Sequence, residues 1–258
     1  VTYISAIGYL MEGDFAGACF DLKNLYEIDP SNEYIKQAFV SCAKITGYKL
    51  PTELADAKQL PFDFSKNSIF VVFANGLSAA RQERQIELIL PYVGYTGIAY
   101  PVLEYFPTDI ERAIIKTSNG KEYKTEQISD MDAIVSQCID EELPGIITRI
   151  IVSTIVKEAT AIAAQEAARQ AGGDAAYFGT MIAMSIYKKV FNRADLRCWQ
   201  MLPKEYQVTQ LPKPADGMLE IFLLSKTGLK CNSAKITVNQ NSNNPIIIFI
   251  LSNGYGSI

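Results

Sequence analysis

An α+β fold, with helices and strands in separate runs, is what the order of hydrophobic patterns along this chain predicts. Three observations lead there. Residues 1–50 repeat apolar positions on a helical period, residues 68–125 break into short strand-like runs, and two long helical patterns then give way to strands after residue 204. The expected organisation is a helical, repeat-like amino terminus (1–50), a central mixed sheet with a long helical hairpin (51–203), and a small carboxy-terminal β module (204–258).

The first helical pattern runs from Tyr3 to Glu12 through Ile4, Ile7 and Leu10 and stops at Gly13-Asp14. The second runs from Phe15 to Ile28 through Ala18, Leu22 and Leu25, and Asp29-Pro30-Ser31-Asn32 ends it. Ser31 or Asn32 can cap a third helix that reaches about Ile45 before Gly47. Gly13, Phe15, Ala18, Leu22, Leu25 and Pro30 fall at the spacing of a tetratricopeptide repeat, which these residues resemble. A small Ala18 lets two helices approach, and Pro30 cannot continue a helix. Pro51 cuts off the next unit, so about one and a half repeats are present, too few to stand alone. These helices are therefore expected to pack on the rest of the chain.

Strand signals follow a connector containing Pro51 and Pro61. Ser68 to Phe73 is a continuous apolar run closed by Asn75-Gly76. Gln85 to Leu90 alternates, Thr96 to Phe106 reads as a strand interrupted by Pro101, and Arg112 to Thr117 with Lys121 to Thr125 forms a hairpin around Ser118-Asn119-Gly120. Ser129-Asp130 is the expected cap of the helix that follows, with Pro144 interrupting it. A longer helix is expected from about Gly145 to Ala171, then a turn at Gly172-Gly173-Asp174, then a helix from Ala175 to Phe191. Alanine, glycine and serine in both helices permit a close antiparallel hairpin. Arg149, Lys157, Glu158, Glu166 and Arg169 argue against membrane insertion of that hairpin, and no window is long and apolar enough for a span.

Ala194 to Pro203 holds the only tryptophan and separates the helices from the last strands. A tryptophan buries roughly 200 Å², so Arg197, Trp199, Leu202 and Pro203 are expected to form a structural junction pinning helices to sheet, the alternative being a tryptophan that stacks on a ligand. Tyr206 to Leu211, Met218 to Leu224, Ala234 to Asn239 and Ile246 to Leu251 are the closing strands. The last is apolar on both faces and is expected to be covered on both.

The composition excludes more chemistry than it suggests. The chain has no histidine, which removes the usual general base near neutral pH and the commonest zinc ligand. Its five cysteines are odd in number and far apart, without a CxxC pair, so they read as buried free thiols. A net charge of −4 without a basic stripe points away from nucleic acid. Asp140-Glu141-Glu142 is the densest acidic run, but neighbours on a helix end point apart into water rather than across a cleft. No phosphate-binding loop or nucleophile elbow is present. No catalytic, metal-ligating or cofactor-binding residue can be assigned, and no cofactor is expected. The chain begins at Val1 rather than methionine, as a processed or a trimmed chain would, and a removed signal peptide or lipid anchor would leave no trace here.

Several segments together resemble a family of bacterial cell-envelope proteins, often lipoproteins, with a tetratricopeptide-like helical amino terminus. They are Gly13-Asp14-Phe15 with Leu25 to Asn32, Phe73 to Leu77, Ala99-Tyr100-Pro101, Leu143-Pro144, Ile147-Thr148-Arg149 with Lys157, and Ala194 to Arg197 with Trp199-Gln200 and Leu202-Pro203. The resemblance implies an exported protein, periplasmic or anchored to the outer membrane, with a possible lipid anchor in its precursor. Some relatives are encoded near the lipoprotein activator of penicillin-binding proteins, which implies a cell-wall setting. No lipidated amino-terminal cysteine stands in this chain. The expected function is a non-enzymatic scaffold or protein-interaction component with a protein partner in the envelope. The alternative is a carboxylate-dependent enzyme acting on glycan or peptidoglycan, which requires two carboxylates converging on a pocket. A small-ligand carrier would require an enclosed apolar pocket.

Overall fold

A computed structural model describes residues 2–61, 68–90, 94–239 and 245–254, and the architecture is α+β. The chain divides into two compact units that interleave along the sequence. The first comprises Val1–Leu77, Pro107–Met131 and Pro203–Ile258; the second comprises Ser78–Phe106 and Asp132–Leu202. This differs from the linear segments 1–50, 51–203 and 204–258. The reason is β1 (Ser68–Asn75), whose eight residues are all buried. A strand apolar on both faces needs a neighbour on each edge and a layer on each side. It recruits all of these from distant parts of the chain.

In the first unit, β1 pairs in parallel with β10 (Ile246–Ser252) and antiparallel with β7 (Glu205–Pro212), which in turn pairs with β6 (Glu126–Asp130). The period-2 alternation of a strand then sorts its side chains. Phe70 and Val72 face the core formed by α1 (Thr2–Glu12), α2 (Phe15–Ile28) and α3 (Glu33–Thr46). Ile69, Val71 and Phe73 face a second core with β4 (Ile110–Thr117) and β8 (Met218–Ser225). β5 (Glu122–Lys124), β4, β8 and β9 (Lys230–Thr237) form the second sheet in that order. Helices, sheet and sheet make three layers, and the amino-terminal helices pack on the body of this unit as expected. The closing strands are therefore no separate module, since β7 and β10 flank β1 while β8 and β9 extend the sheet from β4. The expected cover over both faces of β10 is incomplete: Ile250 is buried, but Phe249 and Leu251 are exposed on this edge strand.

The helices begin and end where their capping chemistry places them. Asp14 accepts from the Gly17 amide at 2.9 Å, and Asn32 accepts from the Ile35 amide at 3.0 Å. Asn32 also donates to the Gln127 carbonyl at 2.7 Å, which ties the start of α3 to β6. Gly47 closes α3 in the left-handed conformation (φ 72°).

The second unit contains a two-stranded hairpin, β2 (Ala80–Leu90) with β3 (Gly94–Glu104), and the helical run Met131–Phe191. That run is broken at Gly173 (φ 69°, ψ −161°), a conformation open essentially to glycine alone, giving α4 before it and α5 after it. Ser129 and Asp130, expected to cap α4, are instead the last residues of β6, and the helix starts directly at Met131. Asp132 in the first turn is buried and accepts from the Ala79 amide at 2.7 Å and the Ser78 hydroxyl at 3.1 Å. Pro144 does not end the helix as expected; it lies inside α4, where the ring removes one hydrogen bond that the long flanking helix tolerates.

Candidate interaction surface

The second unit owes its shape to a charged pair in an otherwise uncharged seam. Glu158 on α4 and Lys188 on α5 stand equally far from Gly173, so the hairpin brings them together. Lys188 Nζ lies 3.1 Å and 3.2 Å from the two Glu158 oxygens, and Lys188 is 3% exposed. Thr96 of β3 donates to the same carboxylate at 2.9 Å, and the Tyr95 amide donates to the Ser185 hydroxyl at 3.3 Å. Helix pair and β-hairpin are thereby locked in one register. Ala161 and Gln165 fill the seam nearby, both buried. Breaking such a pair leaves an uncompensated buried charge, so it specifies alignment more than it adds stability.

The outer sides of both helices carry what the seam excludes. On α4, Val152, Ile155, Val156 and Ile162 are exposed, while the part-exposed Ile147 and Ile151 turn towards β3; on α5, Phe178, Ile182, Ile186 and Val190 form an exposed ridge at four-residue spacing. No charged residue occurs between 175 and 187, and between 150 and 165 the only ones are Lys157 and Glu158. A helix that is apolar on all sides belongs in an interior. An exposed apolar patch of this extent marks an interaction site.

The same unit holds an open apolar trough of about 580 Å³, walled by β3 (Ile98, Tyr100, Leu103) and α4 (Ile139, Leu143, Ile147). It is not the enclosed cavity a small-ligand carrier needs. The first unit holds a polar depression of about 590 Å³ lined by Glu111, Glu126 and Glu205 among others. These carboxylates have structural partners. Glu205 accepts from Asn75 at 2.7 Å and Gln207 at 2.8 Å, Glu126 accepts from the Tyr34 amide at 3.1 Å, and Glu111 pairs with Arg112 at 2.5 Å. Asn75 is fully buried and donates to the Ile110 carbonyl as well, which fixes the end of β1 before Gly76 turns the chain at φ 66°. The Gln37 amide beside Glu33, also on the rim, holds its carboxyl below the usual range. No cluster of three or more metal-binding side chains occurs among the described residues.

Of the residues singled out in the sequence, Ala18 on α2 is fully buried in the core shared by α1, α2 and α3, Phe15 packs partly buried against the same core, and Gly13 makes the turn between α1 and α2 at φ 79°. Pro30 lies in the turn before α3. The expected junction is corrected. Trp199 is 73% exposed and Met201 is exposed beside it. Arg197 bonds only locally among the contacts seen here, to Asp195 at 2.7 Å, and its guanidinium holds that carboxyl well below the usual range. Leu202 contributes through its backbone, accepting from the Ser78 amide at 2.8 Å, and the chain passes from one unit to the other between Leu202 and Pro203. A tryptophan's size says how much it could bury, not that a partner lies opposite. Trp199→Ala is therefore expected to shift stability by less than about 0.5 kcal/mol; a thermal melt checks this, and a large fall would restore the buried joint.

The cysteines are free, as expected, but only Cys19 and Cys42 are buried; Cys138 and Cys198 are exposed. The small residues of the two helices point to the hairpin contact and say nothing of the outer apolar face. The signal present was the absence of charge from 175 to 187, which leaves α5 without a polar side. No helix among the described residues is long and apolar enough to cross a membrane. Neither a family model, nor a curated protein, nor a solved structure matches the chain.

Proposed function

We propose that this chain is a non-enzymatic scaffold or protein-interaction component of the bacterial cell envelope. The observation that carries the reading is the row of exposed apolar side chains on α4 and α5, whose alignment the Glu158–Lys188 pair fixes. A helical face so rich in exposed apolar side chains gains most from another protein surface that covers it. The envelope setting rests on the resemblance carried by Gly13-Asp14-Phe15, Phe73 to Leu77 and the Ala194 to Pro203 segment. The alternative, a carboxylate-dependent glycan enzyme, is less well supported because Glu111, Glu126 and Glu205 are tied into structural hydrogen bonds.

Photo-crosslinking tests the reading. A photoreactive residue replaces Ile182 or Ile155 in the full-length protein in its cells, with Met218, exposed on the first unit, as the control position. Adducts of defined protein mass are expected from the two helical positions and not from the control. Lipid adducts alone, or no adducts, would overturn it.

A further inference from the structure

We propose that the partner on this face is a second copy of the chain, the two helical hairpins stacking back to back into a four-helix layer. The inference rests on the interaction reading above and names the occupant. Its first support is size. The exposed apolar side chains on the outer sides of α4 and α5, each about half accessible, present roughly 800 Å² per copy, comparable to the ~800 Å² per partner of a standard stable interface.

The second support is what the face lacks. With no charge from 175 to 187, and the Glu158 and Lys188 charges neutralised in the seam, the face carries few charges and of both signs, Lys157 and Glu166 on α4 and Lys189 on α5, so it favours no strongly charged partner. An apolar face with so few charges is complementary to itself.

Shape supplies the third support. Phe178, Ile182, Ile186 and Val190 stand as a ridge on α5, while Ala159, Ala163 and Ala167, all exposed, leave a shallow row on α4 at the same spacing. Helices pack by setting ridges into such rows. In a two-fold pair, the α5 ridge of each copy enters the alanine row of the other. Each contact is then made twice, and the assembly closes at two copies.

Sedimentation velocity of the full chain across a concentration series tests this directly. The expected species has twice the 28.6 kDa chain mass at micromolar concentration. Ile182→Glu, 58% exposed in the single chain, keeps its helical circular dichroism and weakens dimerisation by roughly 30-fold or more. Met218→Glu on the first unit leaves the dimer unchanged. A monomer throughout the series, or an Ile182→Glu protein as dimeric as the parent, would overturn the proposal. A monomer that still crosslinks through Ile182 to a different protein sinks the second copy and leaves the interaction reading standing. A monomer that instead co-floats with lipid vesicles through this face sinks both.

Discussion

Replacing Phe39 with alanine is expected to destabilise the first unit by about 3–5 kcal/mol, a large share of an ordinary domain's 5–15 kcal/mol. Phe39 is fully buried in the middle of α3, the helix with the longest run of buried positions in this unit. Its ring lies 5.9 Å from Tyr26 and 6.1 Å from Tyr48, so it ties α3 both to α2 and to the segment after Gly47. Truncation removes those contacts and leaves a cavity that helices fixed by the Asp14 and Asn32 caps close only in part. A urea titration should show a lower midpoint with an unchanged slope. Phe20→Ala on α2 is the control: that ring is 64% exposed, and its loss should change stability by less than about 0.5 kcal/mol. Equal effects of the two substitutions would contradict the packing described for α2 and α3.

The second large effect lies in the seam of the hairpin. Glu158→Gln keeps the shape of the side chain but leaves the Lys188 ammonium buried without its counter-charge. Removing one member of a buried pair costs about 3–5 kcal/mol, and the partial exposure of Glu158 (20%) places this case near the lower end. The double variant Glu158→Gln with Lys188→Met should recover most of the loss, because no charge is then left uncompensated. Thermal unfolding followed by helical circular dichroism reads both, since α4 and α5 make up most of the second unit. A single variant as stable as the parent would show that the pair is solvated and does not set the register of the hairpin.

Much of the local structure was legible in the sequence, and the reasons are local. Gly13, the Asp29-Pro30 turn and Gly47 bound α1 to α3 through backbone preferences that need no tertiary context. The unbroken apolar run of β1 marked it as a strand. What escaped was everything decided by distant partners. β6 has no apolar alternation; Glu126–Asp130 is a strand because β7 offers an edge and Gln127 meets Asn32. β10 lies parallel to β1 although most of the chain separates them, a pairing that no turn signal can encode. Pro144 reads as a stop, yet a helix packed along a hairpin survives one missing bond. Trp199 was misjudged for the same reason, since burial depends on what stands opposite. In the candidate site, the hairpin and its small residues were readable. The direction in which its apolar sides face was not.

The central claim is that the outer face of α4 and α5 is a protein interface. Hydroxyl-radical footprinting of Phe178, Ile182 and Tyr187 tests it most directly, comparing the dilute purified chain with the assembled protein. The account predicts strong labelling when dilute and protection on assembly, with Phe39 protected in both states. Labelling that stays the same in both states would contradict it, and protection already complete at high dilution would show that the face is covered within the single chain.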